Sequence, residues 1–432
     1  MNIPTDSLTT PFYQGSVQKL FPVPGRDDLM VCQTTPVGSV FDVGAIFEIP
    51  GSDVSRAVFR HVLYASMAKP ETWAAVRDAI AAEPDLDETI RKQLLEGTLE
   101  ECVARGALTH HVGMLDAATG EVVTEGAPAN PSAFNVVRRF TVTKPPMVRL
   151  FHHPIYDYTA FQNADDFVVP LEVIVRFGVT SASSVYKKYV GLGDKEKTAF
   201  EVELGVGEVL EAWKMLRSPI VDFTSKYEPE DRAVSKQEAM LMGGISAEQF
   251  ITLGKLAVLG AWAVRNLIES MGLRLWDLKW EFARSGDDMV FVDTIDTDSI
   301  RATGTLDHKG DTFVIHYNKQ AMRDYYKIVH HEWLDAVNAA KDEARKSGTP
   351  FVELLRAGQA EGRWPQDPVI HGEFLKVQVH KMNFVKEGIL RCLPTAEVAA
   401  GLDACAKGEV GFYEGLGKLA ELRGLNGITR EA

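Results

Sequence analysis

Polar and apolar residues alternate most regularly between positions 273 and 301, LRLWDLKWEFARSGDDMVFVDTIDTDSIR. Successive side chains of a strand point to opposite sides, so Leu275, Asp277, Lys279 and Glu281 share one face and Trp276, Leu278, Trp280 and Phe282 the other. Ser285-Gly286-Asp287-Asp288 predicts a turn, and 289–292 a return arm ending at Asp293, which makes the stretch a β-hairpin. A tight turn brings Glu281 and Asp293 nearly opposite each other, near enough to share one hard cation. The simpler reading of the pattern is a half-buried strand at a sheet edge with its charged side in solvent.

Other elements follow from the same logic. Short strands are expected over 16–21, 29–34 and 43–49, closed by Pro50-Gly51. Helices are expected from a cap at Asp53 through Met67, from Pro70, and over 85–105, where Gly97 weakens the second half. A strand pair is expected at 109–114 and 121–124. The apolar run 167–179, FVVPLEVIVRFGV, reads as a buried strand with two lone charges, Glu172 and Arg176. Ser246-Ala247-Glu248-Gln249 is a capping box opening a long helix that Gly272 ends. A loop over 304–310, a helix over 318–346, and helical stretches around 351–357, 372–390, 395–407 and 410–423 complete the chain.

At 432 residues, 45% of them apolar, the chain can bury a sizeable core. The net charge of −14 (46 basic against 60 acidic residues) argues against a nucleic-acid groove or an anionic membrane as main partner. Cys32, Cys102, Cys392 and Cys405 lie far apart without a C-x-x-C pair, as in a reducing, cytoplasmic protein. No leader is evident and no apolar run approaches about 18 residues. His110-His111 and His152-His153 are neighbours that a strand sends to opposite faces, a poor metal chelate. His330-His331 read as structural.

Three segments in order, DLKWEF, VDTIDTDSIR and NKQAMR, resemble the core signature of the SAICAR synthetase (phosphoribosylaminoimidazole-succinocarboxamide synthase) family: D-[FL]-K-x-E-F-G, D-E-x-S-P-D-x-x-R and D-K-Q-x-x-R. Asp277, Lys279, Glu281, Phe282, Asp293, Asp298, Arg301, Lys319, Gln320 and Arg323 match. The run 167–179 is similar to the family's hinge strand, SASSVYKK in part to its phosphate loop through Ser184 and Lys187, and PIVDFTSKYEPED to its lysine segment through Lys226, with Glu228 and Asp231 matching less securely. Near the N-terminus Gly15, Ser39, Phe41 and Asp42 match. There Ser16 and Gln18 replace two basic residues expected over the ATP phosphates, Val37 replaces an arginine, and Ser183 a loop glycine.

The resemblance implies an α+β fold: a small N-terminal antiparallel β domain (1–67), a larger α+β catalytic domain (147–346), and an ATP cleft between them. An insertion (68–146) and a helical C-terminal extension (347–432) would be additions. It implies an ATP- and Mg²⁺-dependent ligase that activates the carboxylate of a carboxyaminoimidazole ribonucleotide as an acyl phosphate, which aspartate then captures. The implied roles are Glu281 and Asp293 for the metal, Lys279, Asp277 and Lys226 in catalysis, and Gly15, Val169, Leu171, Lys226 and Lys279 around ATP. Arg176, Ser184, Asp298, Arg301, Ser39 and Asp42 would bind the other substrates. A ligase for another carboxylate and a non-catalytic nucleotide-binding relative are the alternatives. Small molecules, and a second copy of the chain in a homo-oligomer, are the expected partners.

Overall fold

The computed structural model describes residues 1–428 apart from 152, 229 and 392, so His152 and Cys392 lie outside the described residues. Its larger sheet is antiparallel, in the order Ala233–Val234, Lys214–Ser225, Leu171–Val179, Arg274–Ser285, Ile300–His308, Asp311–His316, Gly427–Ile428. Phe167–Val168 and Asp288–Val292 pair with one end of Arg274–Ser285. The alternating strand is therefore central and not an edge. Its hairpin forms with Glu281 opposite Val292 and Ser285 opposite Asp288.

The apolar face of that strand packs on the helix Ala247–Glu269, which opens with the expected capping box at Ser246. Trp280 donates its Nε1–H to the Ala257 carbonyl at 3.1 Å and meets Phe291 edge-on, with ring centroids 4.8 Å apart. Gly260 allows this approach, since a Cβ there would stand 2.9 Å from the Phe291 ring. This helix alone, among the described residues, is long and apolar enough to cross a membrane, and it lies mostly inside the core.

The N-terminal sheet differs from expectation in one respect. Its order is Tyr13–Gln14, Gln18–Val23, Arg26–Thr34, Pro131–Arg138, His111–Asp116, Val122–Val123. Strands from the stretch read as an insertion thus complete this sheet, with Pro131–Arg138 pairing directly to Arg26–Thr34. Phe21, Val31, Leu115 and Val136 close a small core between the two sets. Alternation along 131–138 is weak because both faces are covered, which hides the strand from a period-two reading.

Smaller departures have local causes. Gly51, left-handed at φ 79°, caps the helix Ser52–Met67, and Asp53 sits inside the first turn, where a carboxylate favours the helix dipole. The helix expected over 85–105 splits into Glu88–Leu95 and Thr98–Arg105 at Gly97. The stretch 304–310, expected as a loop, is mostly strand, turning only at Lys309-Gly310. His330 breaks the helix expected over 318–346, and its Nε2 lies 3.1 Å from the Tyr325 hydroxyl.

Four helices, Phe351–Ala360, Gly372–Leu390, Thr395–Gly415 and Leu419–Asn426, cover the far side. Lys381, fully buried, bonds Glu409 Oε2 at 2.5 Å and the His316 carbonyl at 2.7 Å. Lys381→Met leaves Glu409 buried without a counter-charge, a situation that costs about 3–5 kcal/mol. The expected outcome is a clearly lower urea midpoint, with Lys381→Met plus Glu409→Leu recovering most of the loss.

Candidate functional site

The charged face of the central strand lies in the interior. Register sets its partners: Arg176 stands opposite Asp277 on one side, Arg301 opposite Asp277 on the other, and Ile174 opposite Lys279. Asp277 Oδ2 accepts from Arg301 Nη1 at 2.7 Å and lies 3.5 Å from Arg176 Nη1. Arg176 is held in a two-pronged contact by Asp222, at 3.1 and 2.9 Å, and touches Ser183 Oγ at 3.3 Å. Arg301 also donates to Thr180 Oγ1 at 3.2 Å. Asp277 and Arg176 were expected to meet substrate; here each is engaged by protein partners, because a buried charge must be compensated whether or not substrate is present.

Lys279 pairs closely with Glu172 Oε1 and lies 3.9 Å from Glu281 Oε1. Lys226 pairs closely with Glu281 Oε2. Burial opposes the charge of both lysines, but the surrounding carboxyl groups of Glu281, Glu172 and Asp293, with one proton shared between Glu281 and Asp293, raise their pKa values and keep them protonated.

Glu281 and Asp293 come together by a route the alternation does not contain. Val292, not Asp293, is the register partner of Glu281, so an extended Asp293 would point to the other face. Asp293 instead adopts a left-handed backbone, φ 60°, and its carboxylate accepts a hydrogen bond from Glu281. A non-glycine residue held there stores strain of about 1–3 kcal/mol, a feature that concentrates at functional sites. Its carbonyl receives the Tyr64 hydroxyl at 3.3 Å. Burial first, and the Asp293 charge second, push the Glu281 carboxyl up to about 8. Asp293, despite its burial, is pulled down to about 2, chiefly by Lys226 and the Glu281 hydrogen bond. A buried carboxyl group and a half-buried one sharing one proton are a donor set that a divalent cation fits, since it can replace that proton.

Two further features were missed. Asp296, fully buried, accepts from Arg60 Nε at 2.9 Å and Nη2 at 2.5 Å, and from Arg56 Nε at 3.4 Å. Arg56 and Arg60 stand four apart in a helix whose neighbouring positions are apolar; that spacing was the available signal. Arg56 continues to Asp298 at 3.2 Å, and Lys319 lies 4.0 Å from the same carboxylate. Second, Lys187, Arg301, Arg323 and Lys327 gather into one basic cluster. Burial and the neighbouring cations lower the pKa values of Lys187 and Arg323, and among the described residues neither has a carboxylate within ion-pair distance. Such a cluster is an anion site in waiting.

The remaining expected residues fall at the margins. Ser184 is exposed at the start of Ser184–Val190, and its neighbour Ser183 makes the contact with Arg176. Val169 and Leu171 are each 1% exposed in the core, so only main chain of this hinge could meet an adenine. Gly15 turns the Tyr13–Gln14/Gln18–Val23 hairpin, whose Tyr13 is close enough to act electrostatically on Tyr227, beside Lys226. Ser39 lies on the ribbon Val37–Ser39/Ala45–Glu48, and Asp42 pairs with Lys341 at 2.8 Å. His61 Nδ1 meets His111 Nε2 at 2.8 Å; no group of three metal-ligating side chains forms among the described residues.

Residues 153–340 match the family model described as SAICAR synthetase. A putative phosphoribosylaminoimidazole-succinocarboxamide synthase of Archaeoglobus fulgidus is 28% identical over 246 residues, 56% of this chain and 67% of that one. The synthase of Thermoplasma volcanium is 29% identical over 44% of this chain and 61% of its own length, and that of Candida albicans 29% identical over 43% and 61%. The match thus spans about two thirds or less of these relatives. A structure titled SAICAR-synthase from Saccharomyces cerevisiae complexed SAICAR shares the fold, with a TM-score of 0.51 at 14% identity, covering 90% of this chain and 98% of that one. Over residues 153–340 the chain is thus similar to SAICAR synthetases, and it shares their fold, mixed α and β with antiparallel sheets and a helical C-terminal region.

The shared proton has a measurable consequence. Glu281 binds its proton more tightly folded than unfolded, where its ordinary value is 4.5, so its stabilising contribution is full below about pH 4.5 and is lost as pH rises through about 8. Asp293 acts oppositely, its contribution being present above 3.8 and lost as pH falls through about 2. In divalent-free buffer, melting temperature should therefore decline from pH 5 to pH 8, and Glu281→Gln should flatten that decline. An unchanged slope in the variant would remove the shared proton from the account.

Proposed function

We propose that the chain is an ATP-dependent carboxylate–amine ligase that joins L-aspartate to a carboxyaminoimidazole ribonucleotide through an acyl phosphate, the reaction of de novo purine synthesis for which its relatives are named. The observation that carries the reading is one strand face with a paired-carboxylate site at Glu281 and Asp293, flanked by Lys226 and Lys279, and a separate basic cluster in which Arg323 and Lys187 have no ion-pair partner among the described residues. Phosphoryl transfer between two anions needs charge neutralisation and alignment more than covalent help, and a phosphorylated acceptor needs a second cationic pocket.

Glu281 and Asp293 would hold Mg²⁺, which supplies charge neutralisation at the phosphate oxygens when bound. Lys226 and Lys279, both protonated, would face the transferring phosphoryl oxygens and keep them in line with the acceptor carboxylate. Arg323, Lys187 and Arg301 would take the 5′-phosphate. Asp298, a quarter exposed and held by Arg56 and Lys319, would receive the aspartate amine and orient its lone pair on the acyl carbon. Attack there expels inorganic phosphate, which carries off the proton the nitrogen loses, and leaves the amide. Adenine would meet the 168–171 main chain beneath the Tyr13–Gln18 hairpin. A ligase for another carboxylate remains the second reading, favoured by Ser16 and Gln18, which leave that hairpin without the two cations of the family pattern.

Incubation with ATP, Mg²⁺, aspartate and the ribonucleotide should yield the succinocarboxamide by mass detection; absence of the amide, with ATP consumed only when another carboxylate is supplied, would move the assignment to the second reading. Glu281→Gln and Asp293→Asn should each lower turnover about a hundredfold or more. Asparagine tolerates a left-handed backbone, so the second variant isolates charge from strain.

Arg323→Met should raise the KM of the ribonucleotide by an amount corresponding to roughly 2 kcal/mol while leaving the KM of ATP nearly unchanged. Equal effects on both would make Arg323 structural.

A further inference from the structure

The C-terminal helix Gly372–Leu390 reaches the loop that carries Asp298. A pocket of about 30 Å³ lies beside Asp298 and Lys319, and Gln378 and Met382 of this helix form part of its wall, with Arg56 and Asn318 on other sides. A water needs roughly 10–15 Å³ on this measure, so the pocket has room for about two waters or one carboxylate group. A carboxylate, an ammonium and a guanidinium at one small opening are complementary to a zwitterion carrying an additional acid group.

The helix is fixed where it meets the pocket. Gln378, 2% exposed, donates Nε2–H to Glu409 at 2.8 Å, and Lys381 anchors that glutamate. One of its two amide N–H groups is thereby directed to Glu409. Met382 receives Ser55 Oγ on its carbonyl at 2.5 Å and Thr297 Oγ1 on its sulfur at 3.7 Å. The side chain of Met382 is thus tied to the loop that carries Asp298, and its packing limits how far a ligand can extend past Lys319.

We propose that this helix completes the amine subsite and that Met382 is a specificity-determining residue, setting the length of acidic amino acid accepted. The inference rests on the ligase reading above. One carboxyl end of the amino acid seats at Lys319, and the thioether closes the space a further methylene would need. Lengthening the acid by one methylene is therefore discriminated by packing, which is worth about tenfold or more in a close-fitting pocket.

The test uses the full chain with Met382→Ala and Met382→Leu. Met382→Ala should raise the ratio of kcat/KM for L-glutamate over L-aspartate about tenfold, with the KM of ATP unchanged. Met382→Leu, of similar volume, should keep the ratio within about twofold of the unmodified chain. A role confined to folding would lower both rates together and leave the ratio where it was. An unmoved ratio in Met382→Ala, with the ATP KM intact, overturns the inference. If the unmodified chain ligates neither amino acid, the ligase reading fails, and calorimetric titration of L-aspartate and L-glutamate into the unmodified and Met382→Ala proteins still decides. A relative gain for glutamate in the variant supports the subsite, and equal affinity ratios in the two proteins overturn it.

Discussion

A charged face on the central strand of a sheet can exist only if each charge is compensated on the spot. Moving an unpaired carboxylate or guanidinium out of water costs several kcal/mol, more than one strand's packing returns. The neighbouring strands and segments meet that demand residue by residue. Asp277 lies between Arg176 and Arg301, Lys279 pairs with Glu172, and Lys226 comes from the end of Lys214–Ser225 to Glu281. Asp296 extends the scheme to the helix Ser52–Met67 through Arg56 and Arg60, which fastens the N-terminal part of the chain to the loop leaving the hairpin. Electrostatic pairing thus sets which strands and helices must meet, and the apolar face then fills with Trp280, Phe282 and Phe291.

Compensation is complete in the middle of the face and incomplete at its two ends, and the ends are the places where chemistry can occur. At one, Glu281 and Asp293 lie too close to be ionised together, so a proton is retained that a metal can displace. At the other, Arg323 and Lys187 have cations beside them and no carboxylate of their own among the described residues. A site short of positive charge and a site short of negative charge on one surface suit a reaction that carries a phosphoryl group to a phosphorylated carboxylate. Arg176 and Asp277 hold the surface rigid between them. Arg176→Met would strand Asp222 and leave Asp277 to Arg301 alone, and so act on stability before affinity.

Much of this was legible in the sequence, because a period-two pattern and motif spacing are local properties. The hairpin, its turn, the capping box and the group Asp277, Lys279, Glu281 and Asp293 all follow from residues within thirty positions of one another. What escaped was non-local. The strand Pro131–Arg138 is buried on both faces and so lacks alternation, and its partner Arg26–Thr34 lies a hundred residues away. Asp296 reads as one acid among several in DTIDTDS until Arg56 and Arg60 arrive from elsewhere. The left-handed turn at Asp293 is likewise silent, since aspartate takes that conformation more readily than most residues yet adopts it at only a minority of its positions.

The N-terminal hairpin shows how a lost charge can be answered in another part of a fold. With serine at 16 and glutamine at 18, the hairpin carries neither cation of the family pattern. Lys19 is cross-strand to Gln14 and Gln33, and alternation turns it away from the face that Gln18 presents. Lys226 has the opposite circumstances. It is largely buried, held protonated by Glu281 and Asp293 together, and its Nζ stands 5.7 Å from the centre of the Tyr227 ring. A cation fixed from below by a buried carboxylate loses little rotamer freedom when it meets an anion, whereas a lysine on an exposed hairpin loses most of it. On the ligase reading proposed above, a positive charge on the rigid floor, with the hairpin left to exclude water, would hold a polyphosphate without a basic cover.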